Sequence, residues 1–113
     1  MIRLAGVEKV FNPGRHNAHP AIRGLDLEIP GGGVTAFRGP SGSGKSTLLA
    51  LIGCLTRPTA GRVRVADRDV SALPERFLAA ERRHTFGFVF QDFNLIRGLS
   101  VRDNLLVPAL PTG

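Results

Sequence analysis

The chain has 113 residues, enough for one small domain with a core, and 42% hydrophobic with 21% charged residues describes a globular protein rather than a disordered one. No apolar run approaches the ~20 residues of a membrane-crossing helix, and Met1 to Glu8 mixes charged and apolar types, unlike a signal peptide, so the cytoplasm is the expected compartment. The net charge of +6 rests on thirteen arginines and two lysines, but no run of five basic residues occurs and there is no Tyr or Trp, which favours a solvated basic surface over a nucleic-acid partner.

Residues 1–11 show a loose alternation closing at Val10 and Phe11 and are expected to form a strand. Asn12 to Pro20, rich in Asn, Pro, Gly and His, reads as a loop, and Ile22 to Ile29 as a second strand. After a turn at Pro30 to Gly33, the apolar Val34, Ala36 and Phe37 predict a short strand running into Gly39. A helix is expected from Lys45, because Leu48, Leu51, Ile52 and Leu55 fall on one face, and Arg57 before Pro58 stops it. The lone Cys54 excludes an internal disulfide; among Leu51, Ile52 and Leu55 it reads as a small core residue, with a reactive thiol as the weaker alternative.

Arg62 to Val65 alternates strictly and predicts a strand. Pro74 and Glu75 open a further helix with Arg82 and Arg83 in its last turn, both choices suited to the helix dipole. Phe86 to Phe90, aromatic and β-branched, predicts a strand ending at Gln91. Ser100 and Asp103 form a cap-like start for a last short helix, ended by Pro108 and Pro111.

One segment carries chemistry. Gly39-Pro40-Ser41-Gly42-Ser43-Gly44-Lys45-Ser46 fits the G-x-x-x-x-G-K-[ST] phosphate loop, with Thr47 following. Glycines permit positive φ and put no side chain between backbone and ligand, so several N–H groups can converge on one anion. The helix beginning at Lys45 adds unpaired N–H groups and its positive dipole end. Lys45 supplies a full charge to the β and γ phosphates, and Ser46 a hydroxyl ligand for Mg²⁺. A Gly/Ser linker would share the composition, but here an apolar strand is expected before the loop and an apolar-faced helix after it. A dinucleotide fingerprint fails for want of a third glycine at the needed spacing.

With these residues the chain resembles the nucleotide-binding subunit of ABC transporters, within it the macrolide-export and lipoprotein-release type. The resemblance runs through Gly39 to Leu49, then Ile52-Gly53-Cys54-Leu55, Pro58-Thr59-Ala60-Gly61, Phe86 to Gln91, Asn94-Leu95 and Asn104-Leu105. It implies an α/β fold, the P-loop ABC-type nucleotide-binding domain, present here as its N-terminal part: an antiparallel β subdomain plus the start of the RecA-like core. It also implies ATP and Mg²⁺ as ligands. Phe11 stands about where the family stacks an aromatic, more often Tyr, on adenine; Phe11 keeps the π face and loses the hydroxyl, or simply closes a core strand. Gln91 matches the glutamine that reaches Mg²⁺ and the attacking water, the alternative being polar surface at a strand end. Asp92 to Leu106 would touch a membrane-spanning permease subunit, and two nucleotide-binding subunits would dimerise on the cytoplasmic face of the membrane.

Departures from the family pattern are as informative. The Leu-Ser-Gly-Gly-Gln-like signature, the apolar strand ending in Asp-Glu and the switch histidine have no match among these residues: Val101 follows Gly98-Leu99-Ser100 where glycines should stand, and His84 precedes Gln91. His16 and His19 fall in the expected loop and do not suggest a metal site. The expectation is a truncated or partial subunit that binds ATP and does not hydrolyse it alone, with an open hydrophobic sheet edge inviting aggregation. A non-catalytic nucleotide-binding or regulatory module stays open as an alternative. A P-loop small-molecule kinase would need a substrate lid, and no segment reads as one.

Overall fold

A computed structural model describes residues 1–40, 42–90 and 95–108. Strands β1 (Ile2–Phe11) and β2 (His19–Ile29) pair antiparallel, with Ile2 opposite Ile29, Leu4 opposite Leu27 and Phe11 opposite His19. Helix α1 (Lys45–Ile52) follows, then β3 (Ala60–Val65), which pairs antiparallel with the other side of β1, placing Leu4 opposite Val63. Strand β4 (Arg68–Asp69) closes a sheet of order β2-β1-β3-β4, and α2 (Glu75–Thr85) and α3 (Val101–Leu106) complete the order.

Alternation decides which face is buried, reset in β1 by an irregularity between Leu4 and Val7 that brings both inward. Leu4, Val7, Ile22, Val63 and Val65 point inward, where Leu51, Ile52 and Cys54 from the α1 region and Leu78 from α2 meet them in one core. The outer face carries charge in rows, for instance Arg3 paired with Glu28 at 3.0 Å. The hairpin between β3 and β4 turns through two residues, Ala66 and Asp67, both at positive φ (48° and 66°), which matches a turn whose twist suits the strands.

Several expectations hold. Helix α2 begins after Pro74 with Arg82, Arg83 and His84 in its last turn, and Ser100 Oγ accepts from the Asp103 N–H at 3.1 Å to cap α3. Others need correction. His19 and Pro20 lie in β2, not in a loop; β2 is an edge strand, where a residue without an N–H is tolerated. Helix α1 ends at Ile52 rather than running to Arg57. Gly53 caps it and Cys54 turns to φ 63°, so Leu55 leaves the apolar face and is largely exposed.

The two apolar runs expected as strands, 34–37 and 86–90, belong to no ladder among the described residues. Phe86 is extended (φ −121°, ψ 146°), and the side chains of Val34 and Val89 stand fully in solvent. Alternation predicts an extended backbone, but a strand also needs a neighbour to take its N–H and C=O groups. No described helix is long and apolar enough to cross a membrane.

Candidate functional site

The glycine loop delivers the chain to the start of α1 in a conformation that exposes N–H groups. Gly42 (φ 82°) and the N-cap Gly44 (φ 93°) both take the left-handed region. Gly44 is doubly required: a Cβ there would also stand 2.9 Å from the Ala21 carbonyl of β2. No side chain caps α1, and its first turn holds no acid. The first bond along the helix is Leu48 N–H to Gly44 C=O at 2.8 Å, which leaves the N–H groups of Lys45, Ser46 and Thr47 without intrahelical acceptors. The positive end of the helix dipole lies at the same groups.

Lys45 belongs to the same cradle. Its ammonium donates to the Gly39 carbonyl, closing the loop on itself. Lys45, Ser46 and Thr47 line a cleft of about 390 Å³ together with Gly42, Gly44, Ala21, Phe11 and His19. Among the described residues no carboxylate lines it. The donor set is therefore amides, one ammonium and two hydroxyls, which suits a polyphosphate and repels nothing on it. The exposed Ser46 hydroxyl, in the first turn, is free to serve as an oxygen ligand for a hard cation such as Mg²⁺.

At the far side of the cleft, Phe11 is 41% exposed, and Lys9 Nζ sits 5.4 Å from its ring centroid while donating to the Arg57 carbonyl at 2.7 Å. One face of the ring is thus occupied by a cation, and the ring borders a polar pocket instead of closing the core. The fold brings Phe11, Gly42, Gly44, Lys45, Ser46 and Thr47 to one cleft; Gly39, Pro40 and Ser43 form the approach to it, Ser43 N–H donating to Pro40 C=O at 3.2 Å. Ser41 and Gln91 lie outside the described residues, as do Asp92, Phe93 and Asn94 of the segment expected to meet a permease.

In the described part of that segment one side chain organises the backbone. Asn104 Oδ1 accepts from the Ile96 N–H at 2.8 Å, and its Nδ2 donates to the Ser100 carbonyl at 3.0 Å, tying 96–100 onto α3. Leu95, Ile96, Leu99, Val101, Leu105 and Leu106 are left exposed around this knot. Sequence reasoning misses one residue of the cleft: His19, expected in a loop, is brought there by its register opposite Phe11. It names Asn104 and Arg82 but not their bonds to backbone groups, Arg82 donating to the Cys54 carbonyl, which no local pattern betrays.

Comparison with known proteins adds to this geometry. A family model described as ABC transporter matches residues 22–111. Over 113 residues the chain is 47% identical to the macrolide export ATP-binding/permease protein MacB of Marinobacter nauticus, covering all of this chain and 17% of that protein. It is 46% identical over 109 residues to the lipoprotein-releasing system ATP-binding protein LolD of Anaeromyxobacter dehalogenans, covering 96% of this chain and 45% of that one. The ATP-binding cassette MJ0796, solved as a dimer in a post-hydrolysis state with ADP and phosphate, superposes with a TM-score of 0.91 at 38% identity, covering all of this chain and 48% of its own. The chain thus spans less than half the length of these relatives.

Proposed function

This chain belongs to the ABC transporter family, and on that premise we propose that it binds ATP with magnesium and forms the N-terminal part, residues 1–113, of a cassette that powers a membrane permease of the macrolide-export or lipoprotein-release kind. The observation that carries the reading is the left-handed Gly44 at the uncapped, acid-free start of α1, with Lys45 in the first helical position. In this reading the amides of the loop and first turn hold the β and γ phosphates, and Lys45 exchanges its bond to the Gly39 carbonyl for one to phosphate. Phe11 offers its free ring face to the base. Ser46 and Gln91 would hold the cation, which supplies charge neutralisation at the phosphates.

Binding and hydrolysis separate here. No carboxylate lines the cleft among the described residues, and binding without turnover is the behaviour we expect of these residues alone. Residues 92–106 would dock the permease, the exposed leucines and valine of 95–106 making the apolar contact. By likeness to a cassette solved as a dimer, the assembled protein would pair two such units on the cytoplasmic face of the membrane.

Titration calorimetry with Mg-ATP tests the central claim: heat of association should appear for the wild type and vanish for Lys45→Ala, a loss of about 100-fold or more in affinity for a charge-assisted phosphate contact. An Lys45→Ala protein that keeps its ATP-dependent thermal shift would overturn the assignment.

A further inference from the structure

Two contacts of different chemistry converge on the C-terminal end of α1, the end away from the phosphate loop. The first is electrostatic. Helix α1 has no basic residue in its last turn, so nothing of its own complements the negative dipole end. Arg82 of α2 supplies that charge: Nη1 donates to the Cys54 carbonyl at 2.6 Å, while Nη2 is held by Glu75 Oε1 at 2.7 Å. Helix α2 is itself fixed to the sheet through buried Glu81, which pairs with Arg68 of β4 and accepts from Thr85 Oγ1 at 3.1 Å.

The second contact is steric. A Cβ at Gly53 would stand 2.6 Å from Phe88 Cζ and 3.2 Å from the Leu49 carbonyl, so the aromatic ring already fills the space a side chain would need. Phe88 in turn stacks on Phe90, with centroids 5.6 Å apart and planes within 9°, and tilts against Phe86 at 6.2 Å. Gly53 and Cys54 are thus gripped from two sides, by a guanidinium from α2 and by a ring from the run that follows it.

We propose that Arg82, Phe88 and Gly53 are positioning residues for the phosphate site. Helix α1 has eight residues, a rod of about 12 Å. A rod that short moves as one piece, so pinning its cap Gly53 and the following Cys54 sets where the first-turn amides and Lys45 stand. The proposal rests on the nucleotide reading above and adds a prediction that reading does not contain. By linkage, if the grip improves nucleotide binding, bound nucleotide must tighten the grip.

The tests use the purified protein and Mg-ATP. Arg82→Met and Gly53→Ala should each weaken ATP binding by about tenfold at temperatures where circular dichroism shows them folded. Arg82→Lys, which keeps the positive charge, should stay within about threefold of wild type. Adding Phe88→Leu to Gly53→Ala should recover most of the lost affinity, because the smaller side chain makes room for the new methyl. A merely structural role predicts lowered melting temperatures with unchanged affinity of the folded protein and no recovery in the double variant; either result overturns the proposal. Should the variants not fold, the wild type alone decides: ATP should slow amide exchange across 82–90, and unchanged exchange there overturns the proposal too. Absence of ATP binding by the wild type sinks the nucleotide reading itself. Binding that is lost in Lys45→Ala yet normal in the Arg82 and Gly53 variants sinks only the grip.

Discussion

In the antiparallel sheet each strand from β1 to β4 has a hydrogen-bonded neighbour, whereas the extended runs 34–37 and 86–90, which flank the phosphate loop and α2, have none among the described residues. The same residue type shows the contrast at its sharpest. Val63 in β3 is 1% exposed and packed in the core; Val89 is 102% exposed. The sheet satisfies its backbone with partners supplied by hairpins and one return strand. The phosphate-loop side carries apolar, strand-forming sequence that finds no ladder partner among the described residues. Stability and ligand chemistry are therefore carried by different halves: the sheet and its core anchor α1, and α1 presents the charge.

That contrast can be broken by substitution, beginning with the largest effect. Val63→Ala should cost about 2 kcal/mol, since buried apolar area is lost and a cavity left behind, whereas Val89→Ala should change stability by less than about 0.5 kcal/mol. Chemical denaturation of both variants measures the difference, and equal losses would mean that 86–90 is packed in solution. Phe11→Ala comes next and should act on the other half only. It removes the ring that borders the cleft, so affinity for ATP should fall by about tenfold with little change in denaturation midpoint. An unaltered affinity would return Phe11 to the role of an aromatic at a strand end. Ser100→Ala is smaller, about 1 kcal/mol of local helix stability through the lost bond to the Asp103 N–H, read as faster amide exchange in α3.

The shape of the glycine loop was legible because its described features are local: glycines where φ is positive and a helix that starts at Lys45 with Ser46 beside it. The ends of α2 and the cap at Ser100 were legible for the same reason, being set by contacts three or four residues apart. What stayed hidden depends on residues distant in the chain. Alternation in 86–90 announces an extended backbone and is silent on whether a neighbour arrives. Pro20 reads as a breaker until β2 proves to be an edge strand. His19 enters the cleft only because its strand is paired in register with Phe11, and Arg82 reaches a carbonyl 28 residues earlier. The curtailed helix was closer to hand: Gly53 was visible, but its work as clearance for the Phe88 ring was not.

The smallest expected effect is a pH dependence in the paired half. Ser71 donates to Asp69 Oδ1 twice, from Oγ at 2.6 Å and from its backbone N–H at 2.9 Å, and these bonds hold the Asp69 carboxyl below the usual carboxylate range. A depressed folded-state value means the carboxylate contributes stability above its unfolded value, and that contribution is lost as pH falls through the folded one. The Ser71 hydroxyl has a second role, accepting from the Val63 N–H at 2.6 Å, which does not depend on whether Asp69 is charged. Ser71→Ala should therefore destabilise the protein in two parts. One part should shrink as pH is lowered from about 7 toward about 2, and the other should persist, because Val63 N–H is left unpaired at every pH. Denaturant titrations of both proteins across that range separate them: a difference independent of pH would assign the whole effect to Val63, and a difference that disappears in acid would assign it to Asp69.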